Sequence, residues 1–128
     1  MIVLDASAAA EMLLGTERGF ATADALRGAA LTVPAHFDAE VYHALRRARR
    51  RSRISPAVLE DLLRRLSTLA AERVELPPLL ASANALGVRF SPPDSLYVAL
   101  ARALDAELLT CDEPLAVACD GVTRVRLI

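Results

Sequence analysis

The chain has 128 residues, 54% hydrophobic but only 4% aromatic, with a formal net charge of −1; that length suits one compact domain over residues 1–128 and is too short for two ordinary ones. All 15 basic residues are arginine, which excludes Schiff-base chemistry, the phosphate-cradling lysine of a P-loop and the lysine-dependent acidic sites of phosphoryl transfer. No apolar run approaches the roughly 18 residues of a membrane span, and the first one starts at Ile2, so no secretory leader is expected and a cytoplasmic location is.

Residues 2–4 form a short apolar run closed by Asp5, and alanine-rich residues 6–14 predict a helix stopped by Gly15. A second helix is expected over 17–26 before Gly28, then a short strand over 31–33 ahead of Pro34. Helical spacing of Phe37, Val41, Ala44, Leu45 and Ala48 predicts a helix over 35–51. Ser55-Pro56 opens another, to about residue 71. Residues 73–76 are a weak strand and 79–86 a helix ended by Gly87. Ser91-Pro92-Pro93-Asp94 introduces a helix to about residue 104, and strands follow over 108–110 and 122–127. Strands alternating with helices through short connections predict a parallel sheet with helices on both faces. Cys111 and Cys119 have no metal-ligand spacing and are expected to be buried apolar residues.

Four acids fall where strands end or helices begin: Asp5, Glu40, Asp94 and Asp112. In parallel α/β folds ligands sit beyond the carboxyl ends of the strands, near the point where strand order reverses, so all four are expected at one rim. Two carboxylates about 4 Å apart repel by about 4 kcal/mol at an effective dielectric near 20; gathered acids therefore call for a cation or protons. Each acid also has a plainer explanation. Asp5, Asp94 and Asp112 are all suitable helix caps. Glu40 lies three and four residues from apolar neighbours, where a charge needs a partner, either a metal site or an arginine. His36, Glu40 and His43 share a helical face, but their spacing is not that of a zinc HExxH helix. Arg46, Arg47, Arg49, Arg50, Arg51 and Arg53 crowd together with no intervening acid, either as a solvated helix end or as a phosphate-contacting patch; the patch is favoured.

The segments Met1-Ile2-Val3-Leu4-Asp5-Ala6-Ser7, Ala39-Glu40-Val41, Asp94-Ser95-Leu96-Tyr97-Val98-Ala99-Leu100-Ala101 and Leu108-Leu109-Thr110-Cys111-Asp112 together resemble a PIN-domain ribonuclease, most of all the VapC-type toxins of toxin–antitoxin pairs. The resemblance runs along essentially the whole chain. It implies a three-layer α/β/α sandwich with a central, mainly parallel sheet. It also implies a Mg²⁺-dependent endoribonuclease, with Mn²⁺ as a substitute, a homodimer, and inhibition by a cognate antitoxin protein. Carried over by motif, Asp5, Glu40, Asp94 and Asp112 are the catalytic acids, with Asp5, Asp94 and Asp112 as metal ligands. Ser7 and Thr110 match the accompanying hydroxyl residues, and His43 stands where relatives often carry Asn. Arg46, Arg47, Arg49, Arg50 and Arg51 are expected to hold the RNA backbone. The rival expectation is a PIN-like module that binds RNA or a protein without cutting; its sign would be the loss of an acid, and all four are present.

Overall fold

The computed structural model describes residues 1–128. Strand β1 (Ile2–Leu4) leads into α1 (Ala6–Leu14) and α2 (Glu17–Ala25), followed by β2 (Leu31–Pro34), α3 (Phe37–Arg50), α4 (Pro56–Ser67) and β3 (Glu72–Val74). A 3₁₀ turn at Pro77–Leu79 precedes α5 (Leu80–Ala85), α6 (Pro92–Ala103), β4 (Glu107–Thr110), α7 (Glu113–Ala118) and β5 (Val125–Leu127). All strand pairs are parallel, and the sheet order is β3-β2-β1-β4-β5. With helices on both faces this is the three-layer α/β/α arrangement expected. No helix is long and apolar enough to cross a membrane.

The order fixes where a site forms. After β1 the chain builds outward through β2 to β3 and then crosses back to place β4 on the other flank of β1. Strand order thus reverses at β1, and the crevice beyond the carboxyl ends of β1 and β4 is the switch point. Asp5 follows β1 directly, and Asp112 lies just past β4.

Short central strands are held by complete burial. Val3, Leu4, Val33, Leu108 and Leu109 are all 0% exposed, and strands covered on both faces read as continuous apolar runs rather than alternating ones. Alanine at positions 8 and 9 lets α1 lie close to its neighbours. At Gly19 a Cβ would fall 2.0 Å from the carbonyl oxygen of Glu11, so the α1–α2 crossing admits only glycine. Arg73 clamps the starts of α3 and β3 together. It donates to both carboxylate oxygens of Asp38 at 2.8 and 2.9 Å, and to the carbonyls of Leu69 and Ala71.

The helix boundaries correct two expectations. Helix α3 starts at Phe37, two residues later than its periodicity predicts, which puts Glu40 in the first turn at the margin of the core face, its side chain 34% exposed rather than buried in the stripe. Helix α6 is capped by Ser91, whose hydroxyl accepts from the Asp94 amide at 3.3 Å. Proline at its first two positions is compatible with that start, because those amides have no partner within a helix. Asp94 is therefore not the cap. Its carboxylate is free of that duty.

Candidate active site

Asp5, Glu40, Asp94 and Asp112 line one open depression of about 520 Å³, together with Ser7, His43 and Arg47. Four separate elements supply the acids: the β1–α1 junction, the first turn of α3, the first turn of α6 and the β4–α7 junction.

Asp5 is 5% exposed and caps α1. Its donors converge on a single oxygen. Oδ2 accepts from the hydroxyls of Ser7 and Thr110, the latter at 2.7 Å, and from the Ser7 amide at 3.4 Å. The Ser7 and Thr110 hydroxyls in turn accept the amides of Cys111 and Asp112, each at 3.0 Å. One pair of small hydroxyls therefore fixes Asp5 and the backbone leading to Asp112 as a unit. Asp112 caps α7, its Oδ1 accepting from the Leu115 amide at 2.9 Å.

Glu40 Oε2 accepts from the Tyr97 hydroxyl at 2.8 Å and lies 3.6 Å from His36 Nε2. His36 Nε2 also stands 3.1 Å from the carbonyl oxygen of Pro93, which only accepts, so the ring donates there and ties the start of α3 to the residue before Asp94. The His36 and Tyr97 rings pack at 4.9 Å between centroids. The partner of Glu40 is thus a tyrosine and a histidine, not the arginine considered from sequence. His36 Nε2 is engaged with the Pro93 carbonyl, and no group of three or more His, Cys, Asp or Glu side chains is arranged as a ready set of metal ligands.

The electrostatics are those of a site short of positive charge. The Asp94 carboxyl is held above the usual carboxylate range by burial, and by the like charges of Asp5, Asp112 and Glu40, against an opposing contact from Ser91. In Asp5, Asp112 and Glu40 the protein's side-chain and amide donors occupy one carboxylate oxygen and leave the other. This donor set fits a hard divalent cation of the Mg²⁺ type, which takes one or two carboxylates directly and keeps several waters.

The remaining predicted residues separate. Arg47 reaches the acidic depression, whereas Arg46 and Arg50 line an adjoining one. Arg49 and Arg51 line neither. The ion pairs of the protein engage other arginines, so the α3 cluster carries no carboxylate partner. Cys111 and Cys119 are buried and unpaired; burial raises both thiols, that of Cys119 to about 11, which keeps them protonated. Sequence reasoning missed the roles of His36 and Tyr97. The available signal was Tyr97 itself, one helical turn after Asp94 on a face otherwise made of apolar residues.

The PIN domain family model matches residues 2–120. Ribonuclease VapC12 of Mycobacterium tuberculosis is 43% identical over 128 residues, covering 100% of this chain and 99% of its own. The chain belongs to the VapC family of PIN domains. Ribonuclease VapC3 of the same organism is 39% identical over 116 residues, covering 90% of this chain and 85% of its own. Among solved structures, the Mycobacterium tuberculosis sarcin-ricin loop cleaving toxin VapC20 superposes with a TM-score of 0.71 at 18% identity, covering 98% of this chain and 99% of that one. A protein from Pyrobaculum aerophilum gives 0.69 at 21% identity, covering 97% and 81%. At those identities the likeness concerns the fold. The four acids of this VapC-type PIN domain stand at the reversal of strand order described above.

Proposed function

We propose that this VapC-type PIN domain is a Mg²⁺-dependent endoribonuclease toxin, with Mn²⁺ able to substitute, acting in the cytoplasm as a homodimer and held inactive by a cognate antitoxin protein. The observation that carries the reading is the meeting of Asp5, Glu40, Asp94 and Asp112 in one cleft, each from a different element, in a chain similar along its full length to a named ribonuclease.

Asp5 and Asp112, both at the carboxyl side of central strands and both held by donors on one oxygen, are the residues suited to hold the cation, with Asp94 completing the set. Bound there, the cation supplies Lewis-acid stabilisation of phosphate charge and lowers the pKa of water. Glu40, fixed by Tyr97, is placed to orient a water for in-line attack on phosphorus. Arg47 lies in the same cleft and offers a guanidinium to a non-bridging phosphate oxygen. Hydrolysis by this route leaves 5′-phosphate and 3′-hydroxyl ends.

The test is cleavage of cellular RNA by the purified chain with Mg²⁺, with excess EDTA, and with Asp5→Asn or Asp94→Asn in place of the parent, mapping the ends formed. Metal-dependent cleavage lost in both variants is the expected result. Full activity of either variant overturns the catalytic assignment, and activity in EDTA overturns the metal.

A further inference from the structure

On α3, Ala39, Tyr42, His43, Arg46 and Arg50 recur at helical spacing and line a depression of about 410 Å³. Ala39 and His43 also line the acidic cleft, so the two depressions are continuous across a lip made by a methyl group and an imidazole. Tyr42 is 42% exposed at the far side of that lip, and the Arg46 guanidinium carbon lies 5.7 Å from its ring centroid. Neither Arg46 nor Arg50 is neutralised by a carboxylate. A partly exposed tyrosine ring with the Arg46 guanidinium over one face, a second unpaired guanidinium nearby, and an adjoining cleft that would hold a scissile phosphate match the alternation of base and phosphate in a single strand. Every base has a π-face, so such stacking is tolerant of sequence, while arginine grips the phosphates between bases.

We propose that Tyr42 is a stacking platform for the base of a nucleotide flanking the scissile phosphate, with Arg46 and Arg50 holding that nucleotide's backbone. The proposal rests on the ribonuclease reading and adds a substrate subsite to it. The ligand is single-stranded RNA rather than an acidic peptide, because a peptide carboxylate needs the arginines but gives the ring face nothing to stack on. Tyr42 should then discriminate against duplex substrate, whose bases are not free to reach it.

Composition provides a direct optical test. The chain has no tryptophan and two tyrosines, and Tyr97 is buried against Glu40, so the part of an RNA-induced change in tyrosine emission that Tyr42→Phe removes reports Tyr42. The probe is a randomised single-stranded oligoribonucleotide pool about 12 nucleotides long, within the site sizes of single-strand grooves, titrated into the Asp5→Asn chain to prevent turnover. Saturable quenching is expected. Adding Tyr42→Ala should weaken binding, followed by anisotropy of labelled RNA, about 5- to 160-fold, and Tyr42→Phe should recover affinity while reducing the optical response. In the active chain Tyr42→Ala should raise KM more than it lowers kcat.

Equal RNA affinity of Tyr42→Ala and parent overturns the platform, as does quenching that persists undiminished in Tyr42→Phe. Loss of binding to a poly-glutamate peptide with RNA binding intact also overturns it, in favour of a protein ligand. If the parent neither binds nor cuts RNA, the ribonuclease reading itself fails; if it does both and Tyr42→Ala matches it, only the platform fails.

Discussion

Tyr97 donates a 2.8 Å hydrogen bond to Glu40 from a fully buried ring, joining α6 to α3 across 57 positions of sequence. Burial, with the charges of Glu40 and Asp5 beside it, lifts the Tyr97 hydroxyl well above its ordinary pKa, so it remains a donor across the working range. Tyr97→Phe removes the donor and keeps the ring against His36. Stability should fall by about 1.5–3 kcal/mol, the usual worth of a hydrogen bond to a charged group. Cleavage should fall about 10- to 100-fold, as when an outer partner of a site residue is removed. Chemical denaturation and initial rates on the same sample check both. The raised pKa also fixes a sign. Stability from the neutral phenol is complete below the unfolded value near 10 and is lost as pH rises beyond it, so the parent's alkaline loss of stability should be reduced in Tyr97→Phe.

Asp94 gives the opposite end of the pH scale. Its folded pKa is raised, chiefly by burial and further by Asp5, Asp112 and Glu40, so the fold binds this proton more tightly than the unfolded chain does. The stability is present below the unfolded value near 3.9 and is lost as pH rises through the folded pKa. In metal-free protein, Asp94→Asn should therefore raise Tm above about pH 4, with little effect below it. Mg²⁺ should raise the parent's Tm more at neutral pH than in acid, because binding to the native state alone stabilises it. A Tm series over pH, with and without the cation, measures each arm; a parent that loses no stability relative to Asp94→Asn contradicts the assignment.

Thr110→Val is nearly isosteric but deletes a hydroxyl that serves both Asp5 and the Asp112 amide. A buried carboxylate then loses a donor and a backbone amide loses its acceptor. The expected loss is about 2–4 kcal/mol, read by denaturant midpoint. Thr110→Ser, which retains the hydroxyl, should recover most of it.

For the arginines, Arg47→Ala and Arg50→Ala should weaken RNA binding and reduce the slope of log affinity against log salt by about 0.7 for each phosphate no longer neutralised. Arg51→Ala, outside both depressions, should leave the slope as it is. Titrations at several salt concentrations separate the two classes.

Local chemistry explains how much of this is visible in the sequence. Asp5 and Asp112 announce themselves because a strand run, an acid and a helix start follow one another within a few residues, and both prove to be caps that also line the cleft. Asp94 is harder, since Ser-Pro-Pro-Asp offers two capping candidates and only the geometry assigns the cap to Ser91. Periodicity alone extends α3 back to residue 35 and so places Glu40 within the core stripe; the later start of the helix moves the acid to its margin. The partners are not visible at all. Tyr97 meets Glu40, His36 meets Pro93 and Thr110 meets Asp5 across 57, 57 and 105 positions. Such pairings are set by the strand order, which local pattern does not encode. The arginine cluster is legible as charge, but which members face the cleft depends on the orientation of α3.

The convergence of every donor to the Asp5 carboxylate on a single oxygen has a further meaning for what one substitution does to the cleft. An asparagine side chain carries one carbonyl oxygen that accepts the same three bonds, and asparagine caps a helix as well as aspartate does. A single Asp5→Asn change therefore removes a carboxylate charge from the cleft while keeping the acceptor of those three bonds. Because Asp5 is only 5% exposed, the change lowers the charge of the cleft and leaves the outer surfaces of the fold as they are.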